Sequence, residues 1–277
     1  MLFTTRSICA GYEKFFAEIN ADLIRSQQLF CPEMEPDLMK ITGGWATCDG
    51  IDAYNTQVIG WGANGEVSDD EIDQVLKFYE NKPGRVRIEI SCFADRTLIM
   101  RLENRGFRVR GWIVTAGKDI IEEDKNFEFK SPFKCFLATE KDEEVWVDTM
   151  NRGFLDNEDG ELDPGLLPMG KAVFRSESII PFIAYEGDKA VASSSLTVKD
   201  NIACLVAATT LPSFRRKGAQ RDMQKIRIAH AAKMGAKTLL FEGLPGTESL
   251  HNAYKRGITA LYSSVVLARE EIDNLVF

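Results

Sequence analysis

One order of elements occurs twice in this chain. In the first half, residues 86–90 alternate apolar and charged side chains and read as a strand. Residues 94–107 follow, with Leu98, Leu102 and Phe107 at helical spacing and Gly106 as a stop signal. The β-prone run 108–114 closes the unit. In the second half, residues 238–241 read as a strand, 249–256 as a helix stopped by Gly257, and 261–267 as a strand. Two related domains in tandem explain the repetition; chance recurrence of a common strand–helix–strand unit is the competing explanation. A length of 277 residues suits two domains of ordinary size.

Residues 117–126 are charged and poor in large apolar side chains apart from Ile120 and Ile121, so they read as a linker. That places one domain at 1–127 and a second at 128–277. Residues 8–30 read as one amphipathic helix in which Gly11 is the expected weak point. Ser68 is the expected cap of a helix reaching Tyr79, with Glu71 at the capping-box position. Thr139 is placed to cap a further helix that Gly153 should end. Short strands are expected at 45–47 and 57–60, and turns at Gly43-Gly44 and Asn64-Gly65.

Composition narrows the function classes. No run of about 18 apolar residues occurs, so no membrane-spanning helix is expected. The first 16 residues lack the apolar run and small-residue cleavage site of an export signal, so a cytoplasmic location is the expectation. Six cysteines occur without a C-x-x-C pair and with only two histidines, which argues for free thiols and no metal site. A net charge of −8 disfavours nucleic acid as a partner. It can attract cationic small molecules such as amines, though it is also an ordinary solubility charge.

The segment richest in chemistry begins with a hairpin, strands 182–185 and 190–196 around the turn 186–189. A third strand, 203–210, ends at Pro212, which cannot donate to a ladder. A helix then runs to Gly235, with Ala219, Met223, Ile226 and Ala229 toward one face. Arg215, Arg216, Lys217, Arg221, Lys225 and Arg227 crowd around its start, with only Asp222 against them in the sequence. The N-terminal end of a helix already carries partial positive charge, so each cation there costs roughly 0.3–1 kcal/mol unless an anion is present. Free amides, the dipole and these side chains together make a phosphate site, and Gly218 allows close backbone approach. The bland alternative is a solvated basic face. No Walker loop and no dinucleotide fingerprint is present.

Residues 210–220 resemble the pyrophosphate motif of the GNAT N-acetyltransferase superfamily, R/Q-x-x-G-x-G/A. The resemblance extends over most of residues 135–277 through Ala229, the helix end at Gly235, the strand to Phe241 and the helix before Gly257. The first half resembles a worn copy, chiefly at 88–114, and lacks the motif, so no CoA is expected there. The fold implied is α/β (α+β): two tandem GNAT-like domains, each a mixed, mostly antiparallel sheet flanked by helices. The sequence departs from the family pattern in three places. Gln220 holds the final Gly/Ala position, Ile258 replaces the usual Phe, and Ala253 stands where a catalytic tyrosine is common.

The resemblance implies acetyl-CoA as co-substrate and no metal. The amides of Lys217, Gly218, Ala219 and Gln220 would bind its diphosphate, with charge from Arg215 and Arg216. The strand end at Thr209, Thr210 and Leu211 would pair with the pantetheine arm, and Asn252 would contact the cofactor. An amide near Thr210 would stabilise the oxyanion. Glu242 is the expected base, and Tyr254 and Tyr262 are the candidate acids. The bland readings are a solvated strand-end carboxylate and two packing tyrosines; His230 reads as packed and His251 as surface. The function implied is acetyl transfer to the primary amine of a small molecule. The alternatives are a non-catalytic acyl-CoA-binding module and, more remotely, a nucleotide or phosphosugar binder. A monomer is expected, because a tandem pair imitates a dimer internally.

Overall fold

A computed structural model describes residues 3–50, 55–162 and 166–270 of the chain. It divides into two compact units, Met1–Gly117 with Glu242–Phe277, and Lys118–Phe241. The expected division at 127/128 follows the chain; the compact units do not, because the last strand is built into the sheet of the first unit. Among the described residues no helix is long and apolar enough to cross a membrane.

The first unit opens with helix α1 (Arg6–Phe30), capped by Thr5, whose Oγ1 accepts from the Ile8 amide at 3.3 Å. The helix runs without a break through Gly11, around which nothing stands within 4 Å of a built Cβ. Strands β1 (Asp37–Ile41), β2 (Gly44–Cys48) and β3 (Gln57–Ile59) form an antiparallel meander. Helix α2 (Asp69–Tyr79) starts at Ser68, whose hydroxyl accepts from the Glu71 amide at 3.1 Å. Glu71 does not complete a capping box. Its carboxylate accepts from Thr42 N (2.8 Å), Thr42 Oγ1 (2.6 Å) and Trp61 Nε1 (3.0 Å), tying α2 to the β1–β2 turn. Then come β4 (Arg87–Ser91), α3 (Arg96–Glu103) and β5 (Arg108–Asp119), so the first residues of the expected linker continue a strand.

The second unit contributes β6 (Lys134–Leu137), α4 (Glu143–Phe154), α5 (Leu166–Phe174), β7 (Ile180–Glu186), β8 (Lys189–Lys199), β9 (Ile202–Thr210), α6 (Ala219–Lys233) and most of β10 (Thr238–Gly243). The chain returns to the first unit with α7 (Glu248–Tyr254) and β11 (Thr259–Ala268). In that unit the strand order is β1-β2-β3-β4-β11-β5, with only β3 and β4 parallel. The second unit has the order β6-β7-β8-β9-β10, parallel only at β9–β10. Both sheets are thus mixed, mostly antiparallel and flanked by helices. One face of the first sheet packs Ile88, Ile90 and Leu267 against Ile72 and Val75 of α2 and Leu98 of α3.

In the second unit, Trp146, Val147 and Met150 of α4 pack on Ile183 and Ala190, and Trp146 Nε1 donates to the Phe182 carbonyl at 3.0 Å. Gly153 is not a helix end; α4 continues through it to Phe154. A Cβ at Gly153 would stand 2.2 Å from Thr209 Oγ1 and 3.0 Å from its Cβ, so the glycine sets the approach of α4 to β9. Two alanine substitutions therefore have opposite expected signs. Gly11→Ala, in open space, should stabilise by up to about 1 kcal/mol through helix propensity. Gly153→Ala should destabilise by about 1–3 kcal/mol through overpacking. Urea-denaturation midpoints of the two variants check both.

Candidate functional site

The segment from β9 to α6 is shaped by two residues with positive φ. After the single 3-10 turn at Pro212–Phe214, Arg216 sits at φ 63° and Gly218 at φ 98°. A non-glycine residue there is uncommon, and such strain concentrates at functional positions. Gly218 holds the N-cap position of α6 and provides no side-chain cap. Among the described residues no acceptor is bonded to the amides of Lys217, Gly218, Ala219 or Gln220. The first turn of α6 thus presents bare donors at the positive end of the helix dipole. Ala219 is buried, Gln220 half-buried, and Arg215, Arg216 and Lys217 exposed.

The neighbouring cations are less free than their sequence spacing implies. Arg215 donates to the Thr210 carbonyl (3.1 Å), to the Gly153 carbonyl (3.0 Å) and to the Asp156 carboxylate. Lys217 Nζ lies 4.8 Å from the centroid of the Phe214 ring. Lys225 donates to the Glu128 carbonyl at 3.0 Å, and Arg221 pairs with Asp222 at 3.3 Å. Asp222 is fully buried and also accepts from the amides of Lys130 (2.9 Å) and Ser131 (2.7 Å), so it anchors that loop rather than capping the turn. Glu158 accepts from Ser213 N (3.0 Å), Ser213 Oγ (2.8 Å) and Lys189 Nζ (3.0 Å); the Ser213 donors, with Lys189, hold its carboxyl down at about 2. Asp156 and Glu158 thus join Asp222 as anions beside the basic run, although sequence spacing offered Asp222 alone.

Arg227 has a separate task. It is 1% exposed and donates to the Ser195 carbonyl at 2.8 Å and the Val206 carbonyl at 3.3 Å. Those carbonyls belong to one pair that borders a bulge: Ser193 pairs with Thr209 and Ser195 with Val206, leaving Ala207 and Ala208 opposite Ser194. Ala207 takes φ 46° there. Beyond the bulge, Gln220 Nε2 donates to the Thr209 carbonyl at 2.5 Å and to Thr210 Oγ1 at 3.0 Å. The parallel pairing of β9 with β10 covers only Ile202–Cys204 against Thr238–Leu240. From Leu205 to Thr210, β9 keeps β8 on one side and has no ladder partner of β10 on the other.

In the first unit, Glu242 and Tyr262 come together and Tyr254 does not join them. Glu242 accepts from Thr115 Oγ1 at 3.2 Å, and Thr115 pairs in register with Tyr262. Tyr262 is buried and donates to Glu13 Oε1 at 2.8 Å. Glu242 keeps some accessible area, yet it lies deep enough that burial, ahead of repulsion by Glu89 and Glu13, pushes its carboxyl well above the usual range. Burial, then Glu13 and Glu242, likewise push the Tyr262 hydroxyl upward. Tyr254 is 42% exposed, Asn252 half-buried on the same helix, and Ala253 fully buried between them. His230 packs edge-on to Phe182 at 5.5 Å and burial lowers its pKa; His251 is exposed.

Glu13 and Glu89 escaped the sequence reading. Burial first, then Glu89, raises Glu13 to about 8, and burial raises Glu89 to about 7. Glu89 alternates with Ile88 and Ile90, which in sequence looks like a solvent-facing position; both faces of the strand are in fact covered. The ordinary carboxyl value is 4.5, so between there and about 8 the folded state holds protons that the unfolded chain has lost. Stability from these neutral carboxyls is therefore complete below about pH 4.5 and gone above about pH 8, at up to about 1.4 kcal/mol per pH unit per group in between. The melting temperature should fall from about pH 5 to about pH 8.5, and Glu13→Gln should flatten that slope.

No protein-family model matches the sequence, and no curated protein matches it. Solved structures do. A tandem GNAT protein from the clavulanic acid biosynthesis pathway matches over 91% of this chain and 89% of its own, at 8% identity and a TM-score of 0.59. A GCN5-related N-acetyltransferase from Kribbella flavida covers 76% of this chain and 79% of its own, at 16% identity and a TM-score of 0.54. One from Sphaerobacter thermophilus covers 74% and 67%, at 12% identity and a TM-score of 0.54. At such identities the likeness is one of fold. With both mixed sheets, the bulged strand and the glycine turn into α6 in place, the chain folds as a tandem GNAT protein.

Proposed function

We propose that this protein transfers an acetyl group from acetyl-CoA to the primary amine of a small molecule. The observation that carries the reading is the bare first turn of α6: amides without acceptors at Lys217–Gln220, behind a positive-φ Gly218. The residues fit a diphosphate. The α6 amides and dipole take its oxygens, and Arg216 and Lys217 stand exposed beside them. Arg215 takes part once Asp156 yields it. The free edge of β9 at Thr209, Thr210 and Leu211 suits an arm that adds itself as a strand, and Asn252 remains a contact residue of the reading. When bound, acyl-CoA supplies a thioester carbonyl open to attack by an amine. Glu242, with its raised proton affinity, is a stronger base than an ordinary carboxylate and takes the amine proton. Tyr262 or Tyr254 returns a proton to the departing thiolate. The protein acts without metal or nucleic acid, as a cytoplasmic monomer.

One observation favours a second reading, an acyl-CoA-binding module without catalysis. Ala253 is fully buried at the position where the family resemblance puts a tyrosine. Both readings require CoA binding. CoA at a hundredfold excess over its Kd should stabilise the protein by about 2.7 kcal/mol. Gly218→Glu should abolish that shift, by forcing a side chain into a left-handed position and placing a carboxylate against the phosphates. An undiminished shift in this variant would sink the assignment. Asp156→Asn should tighten CoA binding by freeing Arg215. Glu242→Gln should lower kcat by about a hundredfold with CoA stabilisation unchanged. A wild-type protein that binds CoA and acetylates no member of an amine panel is the module.

A further inference from the structure

The bulge in β9 stands on the edge that an acyl-CoA arm would follow. Ala207 is half-buried and Ala208 exposed, and both lie where β9 has β8 on one side and no ladder to β10 on the other. A bulge leaves its extra residue outside the ladder, so it frees a backbone amide that a regular strand would pair. Ala207 takes φ 46°. That left-handed conformation is disfavoured for a residue with a Cβ, and glycine is its usual occupant. β9 carries alanine there, so the surroundings must impose the conformation.

The serines of β8 do not hold it. Ser193, Ser194 and Ser195 lie across from the bulge, and each hydroxyl is buried without a hydrogen-bond partner among the described residues. The hold comes from Arg227, buried on α6. Its Nη1 donates to the Ser195 carbonyl at 2.8 Å and to the Val206 carbonyl at 3.3 Å. Its Nε donates to the Met223 carbonyl at 3.1 Å, which anchors the guanidinium within its own helix. The Val206 carbonyl belongs to the peptide group that leads into Ala207, and Ser195 is the residue paired with Val206 across the ladder. One side chain thereby fixes both strands at the point where their register shifts.

We propose that Arg227 is a positioning residue: it holds Ala207 in the left-handed conformation and so presents a bulge amide to the carbonyl oxygen of the bound thioester. The proposal deepens the acyl-CoA reading of this edge and rests on it. A donor fixed before the ligand arrives needs no reorganisation, and its bond strengthens as charge develops on the oxygen during attack. Lysine does not substitute for the arginine, because one ammonium nitrogen cannot reproduce a planar fork that spans three carbonyls.

The test compares acetyl-CoA with S-ethyl-CoA, which keeps the size of the acyl group and lacks its oxygen. Calorimetry on the whole protein should show acetyl-CoA binding about fivefold tighter, the effect of one hydrogen bond. Arg227→Lys should abolish that preference while CoA still raises the variant's melting temperature. An arginine with a purely structural role would weaken both ligands alike or neither. Adding Ala207→Gly, which accepts a positive φ unaided, should restore the preference in the Arg227→Lys background. If Arg227→Lys alone fails to fold, the double variant, relieved of the strained alanine, carries the comparison, and its preference should match that of the wild type. Equal binding of the two ligands by a wild-type protein that CoA stabilises, a preference that survives Arg227→Lys, equal weakening of both ligands, or no restoration by Ala207→Gly would each overturn the proposal. A wild-type protein that binds neither ligand nor CoA would overturn the acyl-CoA reading, and the proposal with it.

Discussion

β9 carries one residue too many for its partner, and the geometry of the second unit follows from how the surplus is held. Ala207 and Ala208 oppose Ser194 alone, and Arg227 reaches from α6 to both carbonyls of the Ser195–Val206 pair at one side of the bulge. A bulge bends and twists its strand, and here the ladder to β10 stops at Cys204–Leu240. The strand then enters the turn into α6 with Gln220 tied back to Thr209. An arginine at 1% exposure is a costly way to satisfy carbonyls. Its use here ties α6 and the bulge into one rigid piece, so that the bare amides of the helix and the free strand edge keep a fixed relation.

Charge in this protein is arranged by loops that sequence spacing does not reveal. Asp156 and Glu158 follow α4, far along the chain from the basic run, yet one holds Arg215 and the other holds Ser213 and Lys189. The loop after α4 is thereby latched onto the turn before α6. In the first unit the imbalance has the opposite sign, with carboxyls gathered on a buried face, where desolvation raises their affinity for protons. Local charge therefore says more about each region than the net value of −8.

Much of the fold was legible because its signals are local. The strand–helix–glycine–strand repeat, the cap at Ser68 and the glycine turn before α6 are set by neighbouring residues. Gly11, an expected weak point, and Gly153, an expected helix end, both lie inside continuous helices. A glycine's effect inside a helix depends on what stands over it, and only Gly153 has a neighbour, Thr209, brought from another element. The glycine turn into α6 was legible at Gly218, where backbone conformation is local. The burial of Glu13 and Glu89 was illegible, because they look like solvent positions on an amphipathic helix and an alternating strand. Only the register of β4, β11 and β5 shows that nothing solvates them.

The insertion of β11 between β4 and β5 also orders events during synthesis. Those two strands lie within the first 119 residues, but the strand that joins them spans Thr259–Ala268. At about 5–20 residues per second, the ribosome needs roughly seven to thirty seconds to deliver it after β5 has emerged. Throughout that interval β4 presents an open edge, and the apolar face of Ile88 and Ile90 lacks Leu267. The sheet of the amino-terminal half is thus finished only by β11, the last of the described strands to be synthesised.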